Sequence, residues 1–421
     1  MTLTVTNASH DGMLVGVRCV GGTIDALGDL QPEAGDTILD ARGKALVPGL
    51  VNAHTHAAMT LFRSRGDDLP LMRWLQEAIW PAEARLTADD VLWGTRLAAL
   101  EMIRSGTTHF WDMYWHPDAV AQAVTDVGLR ATVSTVVFDG GPGADDAKRA
   151  EVRADVEGQL ARLDPLLSDR VRLSMGPHAV YTVSEPMLRW VAEAADERGL
   201  PVQIHLSETE GEVRDCVAAT GVRPPRLLER AGLLHDRVVA AHGCWLADDE
   251  LDLLAAAGVT VATCPVSNMK LATGRLFFVS KAIRHGVAAG IGTDGAGSNN
   301  SLNLLNDAKI VALLAKHEKV DAAAMDARTT FGLAAGQHSS LLGGQPIQVG
   351  APADFLLVDL DTPEMAGGGD LWGNLVYGNA SGSIDTVVVN GEVVMQGRVI
   401  ADEDEIVAEA SARARHLLDA R

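Results

Sequence analysis

The sequence is poor in cysteine, and its few cysteines form no recognisable pattern. Of its 421 residues only four are cysteine (Cys19, Cys216, Cys244 and Cys264), and no two of them make a C-x-x-C pair. A chain this long does not need disulfides to hold a core, so a disulfide scaffold is excluded. Sparse, unpaired thiols fit a reducing compartment, and we therefore expect a cytoplasmic protein.

Signals for export, membranes and polyanions are also lacking. Residues 1–12 show neither the basic start nor the apolar run of a signal peptide. No apolar stretch approaches the roughly 18 residues of a membrane span. Acidic residues outnumber basic ones by 56 to 35, and the resulting net charge of −21 repels nucleic acids and anionic membranes. We expect a small-molecule substrate, no nucleic-acid or membrane partner, and an assembly that is a monomer or a homo-oligomer.

Eight apolar, strand-like runs alternate with helical stretches such as Glu185–Arg198 and Ala247–Ala257. The runs are Leu50–His54, Thr107–Asp112, Leu129–Val137, Val171–Met175, Val202–Leu206, Val238–His242, Val259–Cys264 and Val287–Asp294. Strands that alternate with helices predict a parallel sheet, and eight such units predict a closed TIM-like (β/α)₈ barrel. Apolar residues make up 47% of the chain, which is enough for a core of this size.

The two chain ends have a different pattern. Short strands broken by glycine turns occupy residues 1–45, and similar strands return after residue 351. Thr386–Val389 leads into Asn390-Gly391, a strong hairpin signal. The tail from Glu405 to Ala420 has the composition of a closing helix. We predict the following two domains: a small β-sandwich domain from residues 1–46 and 347–421, and a barrel domain from residues 47–346.

Polar side chains stand at or just beyond the ends of several barrel runs. They are His54, His56, His178, His205, His242 and Asp294. Function in this fold sits at the carboxyl ends of the strands, and buried polar groups are costly without a partner. One histidine alone would more often be an ordinary core or surface residue. Five of the thirteen histidines together with an aspartate predict an active site.

The pair His54-x-His56 predicts a metal site, because alternate residues of a strand point to the same side. With His205 and Asp294, the two imidazoles suit Zn²⁺, and a nitrogen-rich set with one carboxylate also accepts iron or manganese. Two-metal barrels often use a carbamylated lysine as a bridge on the fourth strand, but no lysine lies between Lys148 and Lys270. One divalent ion is therefore expected.

Glu208 lies three residues beyond His205 and is expected above the metal. A carboxylate there can give and take protons during catalysis, although an acid at a helix N-terminus is the alternative. Asp294 stands among glycines in Gly292–Asn300, where the backbone can approach a ligand closely. The other zinc-deaminase design needs P-C-x-x-C, and no cysteine follows Pro265 at that spacing.

These motifs together resemble one known family. Val47–His56 is similar to the opening motif of the amidohydrolase superfamily. Four further groups of residues resemble the methylthioadenosine/S-adenosylhomocysteine deaminases and the related triazine hydrolases within it. These groups are Ala57–Leu61 with Asp68–Leu71, Trp74-Leu75 with Trp80–Glu83, Gly176–His178 with His205–Thr209, and Thr293–Gly295 with Ser298–Asn300.

The resemblance implies roles for individual side chains. Glu83 would bind ribose hydroxyls, His178 a purine ring nitrogen, and Trp74 would form a wall near the 5′ position. Glu208 would shuttle a proton, while His242 would orient the attacking water. Two segments depart from the pattern. Ser134-Thr135-Val136 stands where S-adenosylhomocysteine deaminases can carry an arginine, with Lys148 and Arg149 as possible substitutes, and Arg275–Val279 is unusual.

The function that follows is hydrolytic deamination of an aminopurine nucleoside by a metal-activated water. Because the carboxylate-binding arginine is absent, we expect a small neutral 5′ group, as in 5′-methylthioadenosine, adenosine or 5′-deoxyadenosine. Deamination or hydrolysis of S-adenosylhomocysteine, guanine, a pterin or a triazine is the alternative reaction. A metal-binding barrel without catalysis is the alternative of another class, but Glu208 would have little use there.

Overall fold

Alternating and continuous apolar runs of the sequence become strands in the computed structural model, which describes residues 2–419. Within these residues the strands are β1 Thr2–His10, β2 Met13–Val20, β3 Thr23–Gly28, β4 Thr37–Asp40, β5 Lys44–Pro48, β6 Leu50–Thr55, β7 Thr107–Met113, β8 Arg130–Val137, β9 Val171–Pro177, β10 Val202–Leu206, β11 Val238–His242, β12 Thr260–Thr263, β13 Ala288–Ile291, β14 Phe355–Asp359, β15 Ile384–Val389 and β16 Glu392–Met395.

The helices mostly follow strands of the barrel. Within the same residues the α-helices are α1 Leu71–Arg73, α2 Trp80–Glu83, α3 Ala88–Arg104, α4 Pro117–Val127, α5 Asp146–Leu163, α6 Glu185–Arg198, α7 Glu210–Thr220, α8 Pro224–Ala231, α9 Asp248–Ala257, α10 Pro265–Lys270, α11 Val279–Arg284, α12 Ala296–Asn299, α13 Leu304–Lys319, α14 Ala327–Ala334, α15 Leu371–Val376 and α16 Glu403–Asp419. Short 3₁₀ segments cover Ala57–Phe62, Asp164–Leu166, Ser340–Leu342 and Ala380–Ser383, and a π-helical turn covers Trp74–Ile79.

Strands β6 to β13 lie side by side in chain order in one parallel sheet. The amide of Asp294 donates to the carbonyl of His54 at 3.0 Å, which joins the end of the last strand to the first. Gly292 has no room for a side chain there, because a Cβ would lie 2.8 Å from the carbonyl oxygen of His54. The predicted (β/α)₈ barrel is confirmed, with a shorter last strand that leaves Asp294 in the loop beyond it.

Large apolar side chains fill the barrel below its carboxyl end. Trp111, Val51, Val239 and Ala262 are buried together there with Leu342. This apolar layer fills the barrel interior, and in this fold the ligand-binding groups lie at the carboxyl ends of the strands.

A second sheet combines both chain ends. It runs in the order β16-β15-β14-β5-β1-β2-β3, with β4 paired to β1. Its own apolar core includes Val5, Val17, Phe355 and Val388. The predicted hairpin is present, since Asn390 and Gly391 both adopt positive φ between β15 and β16. The domain boundaries at residues 46 and 347 stay a prediction.

The helix predicted for the tail extends from Glu403 to Asp419 and packs on the barrel rather than on the second sheet. Arg413 of α16 forms an ion pair with Asp89 at 2.7 Å, and Arg104 of α3 pairs with Glu403. Among residues 2–419 no helix combines the length and apolar character needed to cross a bilayer.

Candidate active site

A cavity opens at the carboxyl ends of the barrel strands. Eight of the nine side chains that the sequence singled out line it. They are His56, Trp74, Glu83, His178, His205, Glu208, His242 and Asp294. The ninth, His54, is completely buried beneath them. The structure therefore brings every predicted site residue to one place.

Three histidines are held in the same orientation by oxygen acceptors. The Nδ1–H of His54 donates to Gln203 Oε1 at 2.5 Å, and that of His56 donates to the carbonyl of Met113 at 2.6 Å. His205 Nδ1 donates to the carbonyl of His178 at 2.7 Å. With a proton on each Nδ1, all three Nε2 atoms carry lone pairs, and these donor atoms lie within 4.8 Å of one another.

The Asp294 carboxylate adds an oxygen to this group of lone pairs. Its Oδ1 atom lies 3.2 Å from His56 Nε2 and 3.7 Å from His54 Nε2. Its Oδ2 atom accepts from the hydroxyls of Ser267 at 2.6 Å and Ser298 at 2.9 Å. The two serines fix the carboxylate so that Oδ1 faces the histidines.

Lone pairs that face one another repel, and a cation placed between them removes that repulsion. His205 Nε2 and His56 Nε2 are 3.3 Å apart, and the buried Nε2 of His54 has no hydrogen-bond partner among the described residues. Four ligands at about 2.1 Å from a tetrahedral ion lie about 3.4 Å from one another, close to the separations seen here. The residues therefore fit a metal ion.

Electrostatics at the site favours the unprotonated form, which a metal requires, for two of the three histidines. Burial lowers the pKa of His54 to about 3 and takes the pKa of His205 well below its usual value. His56 differs, because the adjacent Asp294 carboxylate outweighs the effect of burial and raises the pKa of His56 to about 9. A proton on His56 and a metal ion therefore compete for the same position.

Glu208 lies in the turn between β10 and α7, and only 4% of it is exposed. Burial, with a smaller contribution from the charge of Asp294, raises the pKa of Glu208 to about 8. The carboxyl group is therefore protonated at neutral pH and can donate. Thr209 caps α7 by accepting from the amide of Glu212, so Glu208 stands just before the helix and not in its first turn.

The turn that carries Glu208 is held by Glu212, which sequence reasoning did not identify. Glu212 accepts from the amide of Ser207 at 2.8 Å and from the amide of Glu208 at 2.7 Å. Ser207 has a positive φ of 50°, so the turn needs such support. The signal that the sequence offered for Glu212 was its position, four residues after Glu208 in what becomes the first turn of α7.

His242 faces Glu208 across the cavity. The side-chain amide of Asn268 donates to His242 Nδ1 at 3.0 Å, which leaves the proton of the neutral imidazole on Nε2. That Nε2 atom lies 3.9 Å from Glu208 Oε2. Burial lowers the pKa of His242, so the ring stays neutral and offers an N–H to a ligand.

The outer part of the cavity has aromatic walls around one carboxylate. Tyr114 donates from its hydroxyl to Glu83 Oε1 at 2.8 Å, and burial raises the pKa of Glu83. Trp74 lies in the π-helical turn and donates to the carbonyl of Arg65 at 2.9 Å. The ring of His178 packs 4.7 Å from that of His205, with its Nδ1 bonded to Thr182 at 2.8 Å. This arrangement suits a flat ligand that carries hydroxyl groups.

Residues 45–394 match the amidohydrolase family. The chain belongs to this family. It is 44% identical over 90% of its length to a 5′-deoxyadenosine deaminase from Methanoregula boonei, of which it covers 86%. It is 40% identical over 88% of its length to a 5-methylthioadenosine/S-adenosylhomocysteine deaminase from Thermococcus sibiricus, of which it covers 87%.

A solved amidohydrolase fold gives the same result. The structure of an adenosine deaminase from Xanthomonas campestris with bound zinc superposes with a TM-score of 0.88 at 34% identity. The match covers 99% of this chain and 98% of that one. The family expected from the sequence motifs is confirmed, and a bound metal in such a relative agrees with the histidine cluster seen here.

The two segments that depart from the family pattern contribute no charge to the cavity of this amidohydrolase. Thr135 is buried against Met175, and β8 presents Val136 to the cavity instead. Lys148 and Arg149 lie in the first turn of α5, where they pair with Glu151 and Asp146. Arg275 stacks on Trp245, with its guanidinium carbon 4.2 Å from the ring centroid.

Proposed function

We propose that this amidohydrolase is a one-metal deaminase that removes the ring amino group of adenine nucleosides with a small neutral 5′ group. The observation that carries the proposal is the convergence of three imidazole lone pairs and one carboxylate oxygen beside Glu208, a carboxyl that is protonated at neutral pH. A metal-held water and a general acid are the two components that hydrolysis of a cyclic amidine needs.

The metal ligands are His54, His56, His205 and Asp294. Three nitrogens and one oxygen suit Zn²⁺ best among the common divalent ions, and iron or manganese less well. When bound, the ion supplies Lewis-acid chemistry and lowers the pKa of water toward about 7. A single ion fits, because the three histidine nitrogens form one group of donor atoms among the described residues, and Asp294 Oδ1 lies beside two of them, His54 Nε2 and His56 Nε2.

The chain's own groups then move the protons. Glu208 donates its proton to the ring nitrogen beside the amino-bearing carbon, which makes that carbon electrophilic. Asp294 takes a proton from the attacking water, while the Nε2–H of His242 orients that water through a hydrogen bond. Glu208, now ionised, takes the proton of the hydroxyl that the water has left on the ring carbon and passes it to the amino group. Ammonia leaves as the ring carbonyl forms, and the proton held by Asp294 returns to Glu208.

The substrate extends from this point toward the aromatic walls. His178 faces the ring, Glu83 accepts from the ribose hydroxyls, and Trp74 contacts the 5′ group. Among the described residues that line the cavity there is no lysine or arginine. A carboxylate on the 5′ group would be desolvated without a partner, and this disfavours a charged tail. The relative named for 5′-deoxyadenosine agrees with a neutral group, whereas the other is named for both methylthioadenosine and S-adenosylhomocysteine.

One observation favours S-adenosylhomocysteine as a second candidate substrate. A second cleft adjoins the cavity and shares Trp80, Glu83, Trp115 and Phe138 with it. Arg162 also lines this cleft, and its Nε is 3.6 Å from Asp118 Oδ1. An amino-acid tail that reached this guanidinium would have a partner after all.

The experiment is a comparison of kcat/KM for 5′-deoxyadenosine, methylthioadenosine, S-adenosylhomocysteine and adenine, measured by ammonia release from zinc-loaded protein. We expect the first two nucleosides to be preferred and adenine to be poor, with Glu83→Gln removing much of that difference. A preference for S-adenosylhomocysteine that Arg162→Met abolishes would select the second candidate. A preference for adenine, guanine, a pterin or a triazine would contradict the nucleoside assignment, and no turnover of any compound would favour a non-catalytic barrel.

A further inference from the structure

Gln203 is a buried polar side chain directly below the histidine cluster, and the mechanism above does not use it. It lies two residues before His205 in β10, so both side chains point into the barrel interior. None of its surface is exposed. Its Oε1 atom accepts the Nδ1–H of His54 at 2.5 Å. The glutamine therefore contacts a proposed metal ligand from the side opposite the metal.

A polar network fixes the orientation of the Gln203 amide. Its nitrogen donates to Ser134 Oγ at 3.3 Å, and Ser134 bonds to Ser174 at 2.7 Å. The two serines lie on β8 and β9, so this network joins four strands of the barrel through side chains alone. With its nitrogen directed at Ser134, the amide presents its oxygen to His54.

Gln203 differs in kind from the groups that hold the other two histidines. His56 and His205 donate to backbone carbonyls, which no substitution removes. Only His54, among these three histidines, depends on a side chain for its Nδ1 acceptor. The tautomer of His54 is thus under the control of one replaceable residue.

We propose that Gln203 is a positioning residue that fixes the Nδ1–H tautomer of His54 and thereby sets the metal affinity of the site. The inference rests on the proposed function only in taking His54 as a metal ligand. Without an oxygen at this point, the buried Nδ1–H loses its partner, or the proton moves to Nε2 and occupies the lone pair that the metal needs. Outer partners of metal-binding histidines typically change metal affinity by about 10–100-fold.

The test measures the zinc dissociation constant of the purified full-length protein by competition with a chromophoric chelator, a readout that does not depend on turnover. We expect Gln203→Leu to bind zinc about 10–100-fold more weakly than the unmodified protein. Gln203→Glu keeps the acceptor oxygen, and the Ser134 hydroxyl can turn to donate to it, so zinc binding should be equal or tighter. Ser134→Ala should weaken binding by a smaller factor than Gln203→Leu.

Gln159 offers a matched control, since it is also a buried glutamine with polar partners. Its Oε1 accepts from the backbone amide of Val136 at 2.8 Å, on the outer side of β8. Gln159→Leu should lower the thermal midpoint and leave the zinc dissociation constant within about twofold of the unmodified protein. A purely structural role for Gln203 would make the two leucine variants behave alike.

Two outcomes overturn the inference. One is a folded Gln203→Leu protein with unchanged zinc affinity. The other, which decides the matter if Gln203→Leu does not fold, is a Gln203→Glu protein that binds zinc tenfold more weakly. The cobalt(II)-substituted proteins give an independent signature, since loss of one imidazole changes the visible spectrum of Gln203→Leu but not that of Gln159→Leu. Failure of the unmodified protein to bind zinc would instead count against the proposed function.

Discussion

The two ends of the barrel both contain buried histidine and charged side chains, yet they treat them differently. At the carboxyl end, His54, His56, His205 and Asp294 direct lone pairs at one another and at a cavity. At the amino end, Arg130 donates to Asp354 at 2.6 Å, just before β14, and to Asn390 at 2.9 Å, in the turn between β15 and β16. The first arrangement is incomplete without a ligand, whereas the second is complete as it stands.

The amino end shows what a structural use of the same residue types looks like. His109 is buried there with its Nε2 bonded to Thr132 at 3.1 Å, and burial lowers its pKa to about 3. Arg170 donates to Glu392 at 2.8 Å and so also ties the barrel to the second sheet. Buried polar groups with partners indicate a structural role, whereas a cluster of them without partners beside a cavity is expected of a binding site.

Among the changes that test this difference between the two ends, Glu208→Gln should have the largest effect on kcat. The amide cannot shuttle a proton, and loss of a positioned general acid lowers kcat by about 10²–10⁴-fold. Metal content should stay unchanged, because Glu208 is not among the proposed ligands. Metal analysis and steady-state kinetics on one preparation check both parts, and near-normal kcat would remove Glu208 from the proton transfers.

A change of pH should have a smaller effect, which is on kcat/KM. Since burial raises the pKa of Glu208 to about 8 and the protonated form acts, kcat/KM should show no loss from the ionisation of Glu208 below pH 8. It should fall about tenfold per pH unit above it, as the acid ionises. Glu212→Gln is the control, because burial also raises the pKa of Glu212, to about 7, and it could titrate nearby. If the fall in kcat/KM at high pH disappears in Glu212→Gln, the ionisation belongs to Glu212 and its assignment to Glu208 is wrong.

The strand ends explain how much of this site the sequence could predict. His54, His56, His205 and His242 were identifiable because each lies at or next to the end of an apolar run, and parallel strands bring such ends together. Asp294 was found through its glycine-rich surroundings, although it stands three residues after β13 ends at Ile291. The barrel itself followed from the alternation of strands and helices.

Other parts of the site could not be predicted for physical reasons. Tyr114 contacts Glu83 only because the segment before α3 folds back over the barrel, and no local pattern encodes that path. Ser267 and Ser298 reach Asp294 from two different loops. Gln203 did carry a signal, since it alternates with His205 in one strand, but a glutamine in a buried strand does not by itself reveal its partner.

The smallest effect on activity is expected at the amino end. Arg130→Met leaves the Asp354 carboxylate without its ion pair, which should cost about 1–3 kcal/mol of stability. The value of kcat/KM at 25 °C should remain within about twofold, because the substitution lies at the opposite end of the barrel from the cavity. Arg214→Met is the control, since the Arg214–Asp215 pair is exposed and its loss should change neither quantity. A large loss of activity in the folded Arg130→Met protein would contradict a purely structural role for the amino end.

The most direct test of the claim that the carboxyl end of the barrel needs one metal ion is a zinc titration of metal-free protein. Ammonia release from 5′-deoxyadenosine is the signal. We predict that metal-free protein is inactive, that the rate rises linearly with added zinc, and that it reaches its plateau at one zinc per chain. His54→Ala should give no rise at the same concentrations. Full activity without metal, or a plateau only at two zinc ions per chain, would contradict the account of a single ion held by His54, His56, His205 and Asp294.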